Sequence, residues 1–199
     1  MKRIILSLLT LLLAASVSAQ VCEGLNVVTF RVGDNSVSSP DAGTPTLSVT
    51  YEYEFLEDAF DIESLCLGAG AQFGFRSYRR TLAYSGFYHA YKNLMYALRA
   101  TAHYDILGEF FGMHSDHIDT YATLSFGMER EHHTYRDART NDIAYNKEGN
   151  ETVPGGWRNL YRPGLQVGCR YWFTPNLGAT VEAGFDGFSF FNVGVSACF

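Results

Sequence analysis

Leu65-Cys66-Leu67-Gly68-Ala69-Gly70-Ala71-Gln72-Phe73-Gly74-Phe75-Arg76 reads as a strand with two unlike faces. Its odd positions carry leucine, alanine and phenylalanine, while its even positions carry Cys66, three glycines, Gln72 and Arg76. Successive side chains of an extended chain point to opposite sides, so one side of this segment is greasy and the other is small or charged. The same alternation returns across 27–32, 45–55, 92–106, 117–130, 159–173, 177–185 and 189–199, which with 65–76 makes eight predicted strands. Several exceed the five or six residues usual in soluble sheets. They suit tilted membrane strands of about 9–11 residues that continue beyond the lipid.

Alternation alone leaves open which side faces out, since a soluble lipocalin-like barrel would turn its greasy side inward. Three features favour the membrane orientation. Aromatics of the apolar side gather near strand ends, with Tyr53, Phe55, Tyr104, Tyr171 and Phe199 at one rim and Phe30, Phe75 and Phe185 at the other, as interfacial girdles do. The glycines of the polar side make room inside a narrow cylinder but would weaken a solvent-facing strand. The chain also ends on an aromatic in mid-strand. The expected fold is all-β, an eight-stranded antiparallel up-and-down transmembrane β-barrel. Val27 fits least well, because it falls on the polar parity.

The N-terminal residues read as an export signal: Lys2 and Arg3, an apolar run over 4–15, and Val17-Ser18-Ala19 as a small-residue cleavage site. The expected division is a signal peptide over 1–19 and a barrel domain over 20–199. Gln20 and Val21 stand where a lipidation signal before Cys22 wants small residues, so no lipid anchor is expected. After the signal no apolar run reaches the length of a membrane-spanning helix, and a membrane protein without such helices must be a closed barrel to satisfy its backbone. The formal charge of −6 argues against nucleic acid as a partner.

The run Gly164-Leu165-Gln166-Val167-Gly168-Cys169-Arg170-Tyr171-Trp172-Phe173-Thr174-Pro175-Asn176-Leu177-Gly178 and the ending Phe191-Asn192-Val193-Gly194-Val195-Ser196-Ala197-Cys198-Phe199 resemble the last two hairpins of small outer-membrane barrels of the OmpX and OmpA-transmembrane type. The resemblance covers the mature chain and implies an outer-membrane location, with lipid and lipopolysaccharide around the wall. It also implies that Phe199 serves as the signal read by the barrel-assembly machinery. The four cysteines depart from that pattern. With an even strand count both mature termini are periplasmic. The exposed loops are then 33–44, 77–91, 131–158 and the tight Asp186-Gly187-Phe188, and the periplasmic turns are 56–64, 107–116 and 174–176.

Inside so narrow a barrel, charges must compensate one another. Arg31, Arg76, Arg99 and Arg170 facing Glu52, Glu54, Asp105, Asp119, Glu129 and Glu182 are expected to form a paired plug, with a narrow pore as the alternative. Across a symmetric turn, His103 would face Asp119 and Asp105 would face His117, with His114 and Asp116 in the turn. Two imidazoles and two carboxylates suit a divalent metal, and equally two hydrogen-bonded pairs that end the network. No other cofactor is expected.

His132 and His133 point apart in extended chain and read as a solvated rim. The segment 77–91 holds Tyr78, Tyr84, Phe87, Tyr88 and Tyr91 among arginines, a composition found in binding hot spots and equally in an upward extension of the sheet. A host or cell-surface partner would contact it there. Closure sets Cys22 near Cys198, a candidate disulfide; Cys66 points inward and Cys169 to lipid, so those two are not expected to pair. No serine stands obviously beside His89, His132 or His133 for acyl chemistry, and Ser115 beside His114 lies on the periplasmic side. The leading expectation is a non-enzymatic envelope barrel with interacting loops; the alternatives are a porin for small solutes and a lipid-A-modifying enzyme.

Overall fold

A computed structural model describes residues 24–34, 42–81, 86–112, 115, 117–145 and 155–199. The expected signal peptide, Cys22, Tyr84, His114 and Asp116 lie outside them. Among the described residues nine strands run in chain order: β1 (Asn26–Gly33), β2 (Ala42–Gly43), β3 (Thr46–Leu56), β4 (Leu65–Thr81), β5 (Phe87–Tyr104), β6 (Ile118–Asp137), β7 (Gly156–Thr174), β8 (Leu177–Phe185) and β9 (Phe191–Cys198). All pairings are antiparallel, and all but β2 pair on both sides. β1 closes the ring against β9, from Val27 opposite Cys198 to Gly33 opposite Asn192. The two-residue β2 adds only a short rung to the upper end of β4.

The faces sort as the alternation requires. Leu98 is 74% exposed on the outer wall, among Phe30, Phe126, Leu165 and Val167, whereas Arg31, Arg76 and Arg170 are buried inside. A soluble protein does not cover itself with such a wall, since exposed apolar patches on soluble monomers rarely pass a few hundred Å². The cylinder is therefore built for hydrocarbon. Between Phe30, Leu47, Phe73, Phe75 and Val195 that wall dips into an apolar groove of about 610 Å³.

Both ends of the barrel depart from the sequence expectation. At the lower end Leu25, Val27, Trp172 and Cys198 pack into a buried apolar floor, which is why Val27 sits on the inward parity. At the upper end Asp186-Gly187-Phe188 is not an exposed loop but folds into the mouth, with Phe188 fully buried against Met95 and Ala97. The Asp186 carboxylate accepts from the backbone N–H groups of Phe188 and Ser189, both at 2.8 Å, and Gly187 takes φ 98°, a conformation that costs glycine nothing.

The turn after β5 is not a plain hairpin. Asp105 leaves the strand and caps helix α1 (Ile106–Phe111), accepting from Gly108 N at 2.8 Å, and Gly112 closes the helix at φ 66°. Asp105 thus serves as the N-cap of that helix.

Candidate functional site

The interior is filled by paired charge. Glu182 lies between two guanidiniums: it makes an ion pair with Arg31 Nη1 and another with Arg99 Nη2, the latter at 3.0 Å, and it accepts from Tyr121 Oη at 3.0 Å. Asp186 lies 3.4 Å from Arg31 Nη2 and accepts from Gln72 Nε2 at 3.1 Å, while Gln72 accepts in turn from Arg99 at 3.2 Å. Higher up, Arg76 pairs with Glu129 at 2.7 Å, donates to the Phe188 carbonyl at 2.9 Å and stacks over the Phe188 ring at 4.5 Å. Glu129 also accepts from Asn93 and from Arg162 Nε, the latter at 3.0 Å. Gly168 makes this packing feasible, because a Cβ there would stand 2.4 Å from the Tyr121 ring.

Lower down, His103 is the hub. Its Nδ1 lies 2.8 Å from Asp119 Oδ1, and its Nε2 lies 2.7 Å from Glu52 Oε1 and 3.8 Å from Glu54 Oε1. Arg170 reaches Asp119 at 2.9 Å and Glu52 at 3.6 Å. The expected pairing of His103 with Asp119 is found, although the register sets His103 opposite Tyr121 and the contact is diagonal. Asp105 instead accepts from Gly108 N at 2.8 Å as the cap of α1. His117 sits at the rim with Nδ1 2.9 Å from the Trp172 carbonyl, so the four-residue set of His103, Asp105, His117 and Asp119 does not converge. In its place Glu52, Glu54 and His103 bring one ligand atom each within 4.8 Å of one another.

The sequence reading passed over Tyr121, Asn93 and Asp186. Tyr121 and Asn93 lie on the inward parity and were legible by counting. Asp186 required recognising that an Asp-Gly-x-Ser turn binds its own backbone and can tuck inward.

Above the ring, β4 to β7 continue over 77–81, 87–92, 131–137 and 156–159, where β1, β3, β8 and β9 have ended. The segment expected as a loop is a ladder that reaches Thr81 opposite Tyr88. On its inner face Tyr78 stacks on Tyr91 at 4.7 Å, Phe87 on Tyr135 at 5.1 Å, and His89 lies 5.2 Å from Tyr135 and 6.3 Å from His133. Partial burial, and then the nearby His133 imidazole, hold His89 below the ordinary histidine value. On the outer face His132 meets Trp157 at 4.6 Å, and Arg130 lies over that indole at 4.5 Å. Tyr78 and Tyr88 are buried here, which corrects their assignment as exposed loop contacts; Phe87 and Tyr91 are half-buried. Tyr88 hydrogen-bonds Asn141 and lies beneath Arg79.

Cys198 is a thiol in this structure, and its Sγ donates to the Pro175 carbonyl at 3.0 Å. Cys66 is buried and Cys169 exposed, as parity requires.

No protein-family model and no curated protein matches the chain. Among solved structures it is similar to Ail, the attachment invasion locus protein of Yersinia pestis, in a complex with the heparin analogue sucrose octasulfate. That match has 11% identity, a TM-score of 0.48 and coverage of 89% of this chain and 100% of that one. The N-terminal β-barrel domain of Pseudomonas aeruginosa OprF matches at 13% identity and TM-score 0.46, with 89% and 98% covered. A de novo designed transmembrane β-barrel matches at 16% identity and TM-score 0.45, with 89% and 98% covered. The barrel drawn above stands on the pairing of its own strands.

Proposed function

We propose that this chain is a non-enzymatic outer-membrane barrel that presents its four-strand extension as an interaction surface, with no path for solutes through its centre. The single observation that carries this reading is the division of the molecule at the mouth. Below it, Arg31, Arg76 and Arg99 are matched to carboxylates and Phe188 closes the lumen. Above it, a sheet with tyrosine, histidine and tryptophan on its two faces has no strand opposite among the described residues. Tyrosine, tryptophan and arginine dominate binding hot spots because they bury area at low entropic cost and keep a polar tip. Outer-membrane lipid and lipopolysaccharide would surround the wall, and Phe199 at the end of β9 would be the feature the assembly machinery reads.

The register allows a clean test. Replacing 78–91 by an Asn-Gly turn leaves Ser77 paired with Lys92, and replacing 134–155 likewise leaves His133 opposite Gly156. The trimmed barrel should keep its heat-modifiable gel mobility while cells expressing it lose adhesion to host cells or to one another. Undiminished adhesion would remove the extension from the account. In planar bilayers the intact protein should give no large stable conductance, and a steady conductance would restore the porin reading.

A further inference from the structure

The lower layer of the interior contains one buried charge that the network leaves over. Glu54 is fully buried, and among the described residues neither of its carboxylate oxygens has a hydrogen-bond partner; His103 Nε2 stands 3.8 Å from its Oε1. An unpaired buried carboxylate is among the costliest groups a fold can hold. It is not remote from other donors. Glu54, Glu52 and His103 offer three ligand atoms within 4.8 Å of one another, on β3 and on β5, the two strands that flank β4.

We propose that Glu52, Glu54 and His103 form a binding site for a divalent transition-metal ion of the zinc type. Imidazole with two carboxylates is an established donor set for such an ion, at about 2.0–2.2 Å per bond. The present separations of 2.7 Å and 3.8 Å from Nε2 to the two glutamates mean that the donors need shift by roughly 1 Å or less to share one ion. The other imidazole nitrogen is already held: Nδ1 lies 2.8 Å from Asp119 Oδ1, which fixes the ring with Nε2 aimed at the glutamates, as carboxylates behind metal-bound histidines do. Arg170 in turn holds Asp119 at 2.9 Å.

Charge agrees with geometry. Glu52, Glu54 and Asp119 can bring three negative charges, and Arg170 brings one positive. With both ring nitrogens of His103 facing carboxylate oxygens, a hydrogen on each adds one more positive charge, enough to balance two ionised carboxylates but not Glu54 as a third. A divalent ion in place of the Nε2 hydrogen brings the layer to neutrality and gives Glu54 the partner it lacks. The apolar floor of Leu25, Val27, Trp172 and Cys198 separates the layer from the lower rim, so an ion taken up during folding would leave slowly.

The test is to fold the full chain in detergent with zinc, dialyse, and measure metal per barrel. The expected result is one zinc per chain, retained through dialysis. Glu54→Gln should abolish stoichiometric retention, and Asp119→Asn should weaken it about 10–100-fold. His132→Ala and His133→Ala, on the extension, should change nothing. Cobalt bound to the unaltered chain supplies a readout that needs no variant to fold: a visible band of low-symmetry nitrogen–oxygen coordination is expected. A wild-type barrel that dialyses metal-free, a Glu54→Gln barrel that retains zinc as the parent does, zinc lost with the extension histidines, or cobalt with only its aqueous spectrum would each overturn the site.

Discussion

Replacing Glu182 by Gln removes one charge and almost no volume from the centre of the barrel. In the native interior Glu182 is the shared counter-ion of Arg31 and Arg99 and accepts from Tyr121 as well. The amide oxygen keeps one acceptor, but the two guanidiniums then lose their shared ion-pair partner, and Asp186, 3.4 Å from Arg31, remains as the carboxylate paired with either of them. Removing one partner of a buried ion pair costs about 3–5 kcal/mol, because the remaining charge stays desolvated. The folded-to-unfolded ratio should therefore fall roughly 10²- to 10⁴-fold. Urea unfolding in detergent or lipid vesicles reads this directly, with the emission of buried Trp172 as the signal. The double variant Glu182→Gln with Arg99→Met should recover a large part of the loss, since it removes the stranded cation along with its partner. A single variant within about 1 kcal/mol of the parent would refute the reasoning, because only a hydrated, screened interior tolerates that change. The same result would make the lumen a credible water path.

Phe188→Ala should open a cavity at the mouth, cost about 3–5 kcal/mol and leave Arg76 without the ring beneath it, measured by the same unfolding experiment. Removing Phe199 should lower the fraction of heat-modifiable barrel recovered from membranes while leaving the little that assembles equally stable. His89 is held below its ordinary value, so the folded extension binds fewer protons than the unfolded chain once pH falls below the free-histidine range. Its stabilisation is therefore present above that range and lost as pH drops through the lowered value. Limited proteolysis should cut the extension faster at pH 5 than at pH 7.5, and equal rates would show that His89 does not matter there.

Most of the architecture was legible because a period of two is unambiguous when one face is lipid and the other is charge. Leu65 to Arg76 sorts onto its faces residue by residue, and so do Arg31, Glu52, Glu129 and Glu182. What parity cannot supply is where a strand stops. Carrying the strand to residue 106, two residues past Tyr104, placed Asp105 inside, although an aspartate ahead of an apolar run that closes on a glycine is also a helix cap signature. At 77–91 the composition fits a binding loop and an upward extension of the sheet alike; cross-strand stacking, invisible in one dimension, keeps these residues in the ladder. The His103–Asp119 contact follows from a local hairpin, but the other companions of His103 come from β3, forty-nine and more positions away in the chain, and no local spacing connects them.

The partnership of Arg31 with Glu182 spans 151 positions, from the first strand to the last but one. A growing sheet that holds β1 but still waits for β8 carries a naked guanidinium on what will become its inside. Until the ring closes, lipid is a hostile place for that edge. Completion of the cylinder and neutralisation of its contents are thus a single event, and a truncated barrel would betray itself by the charge it cannot hide.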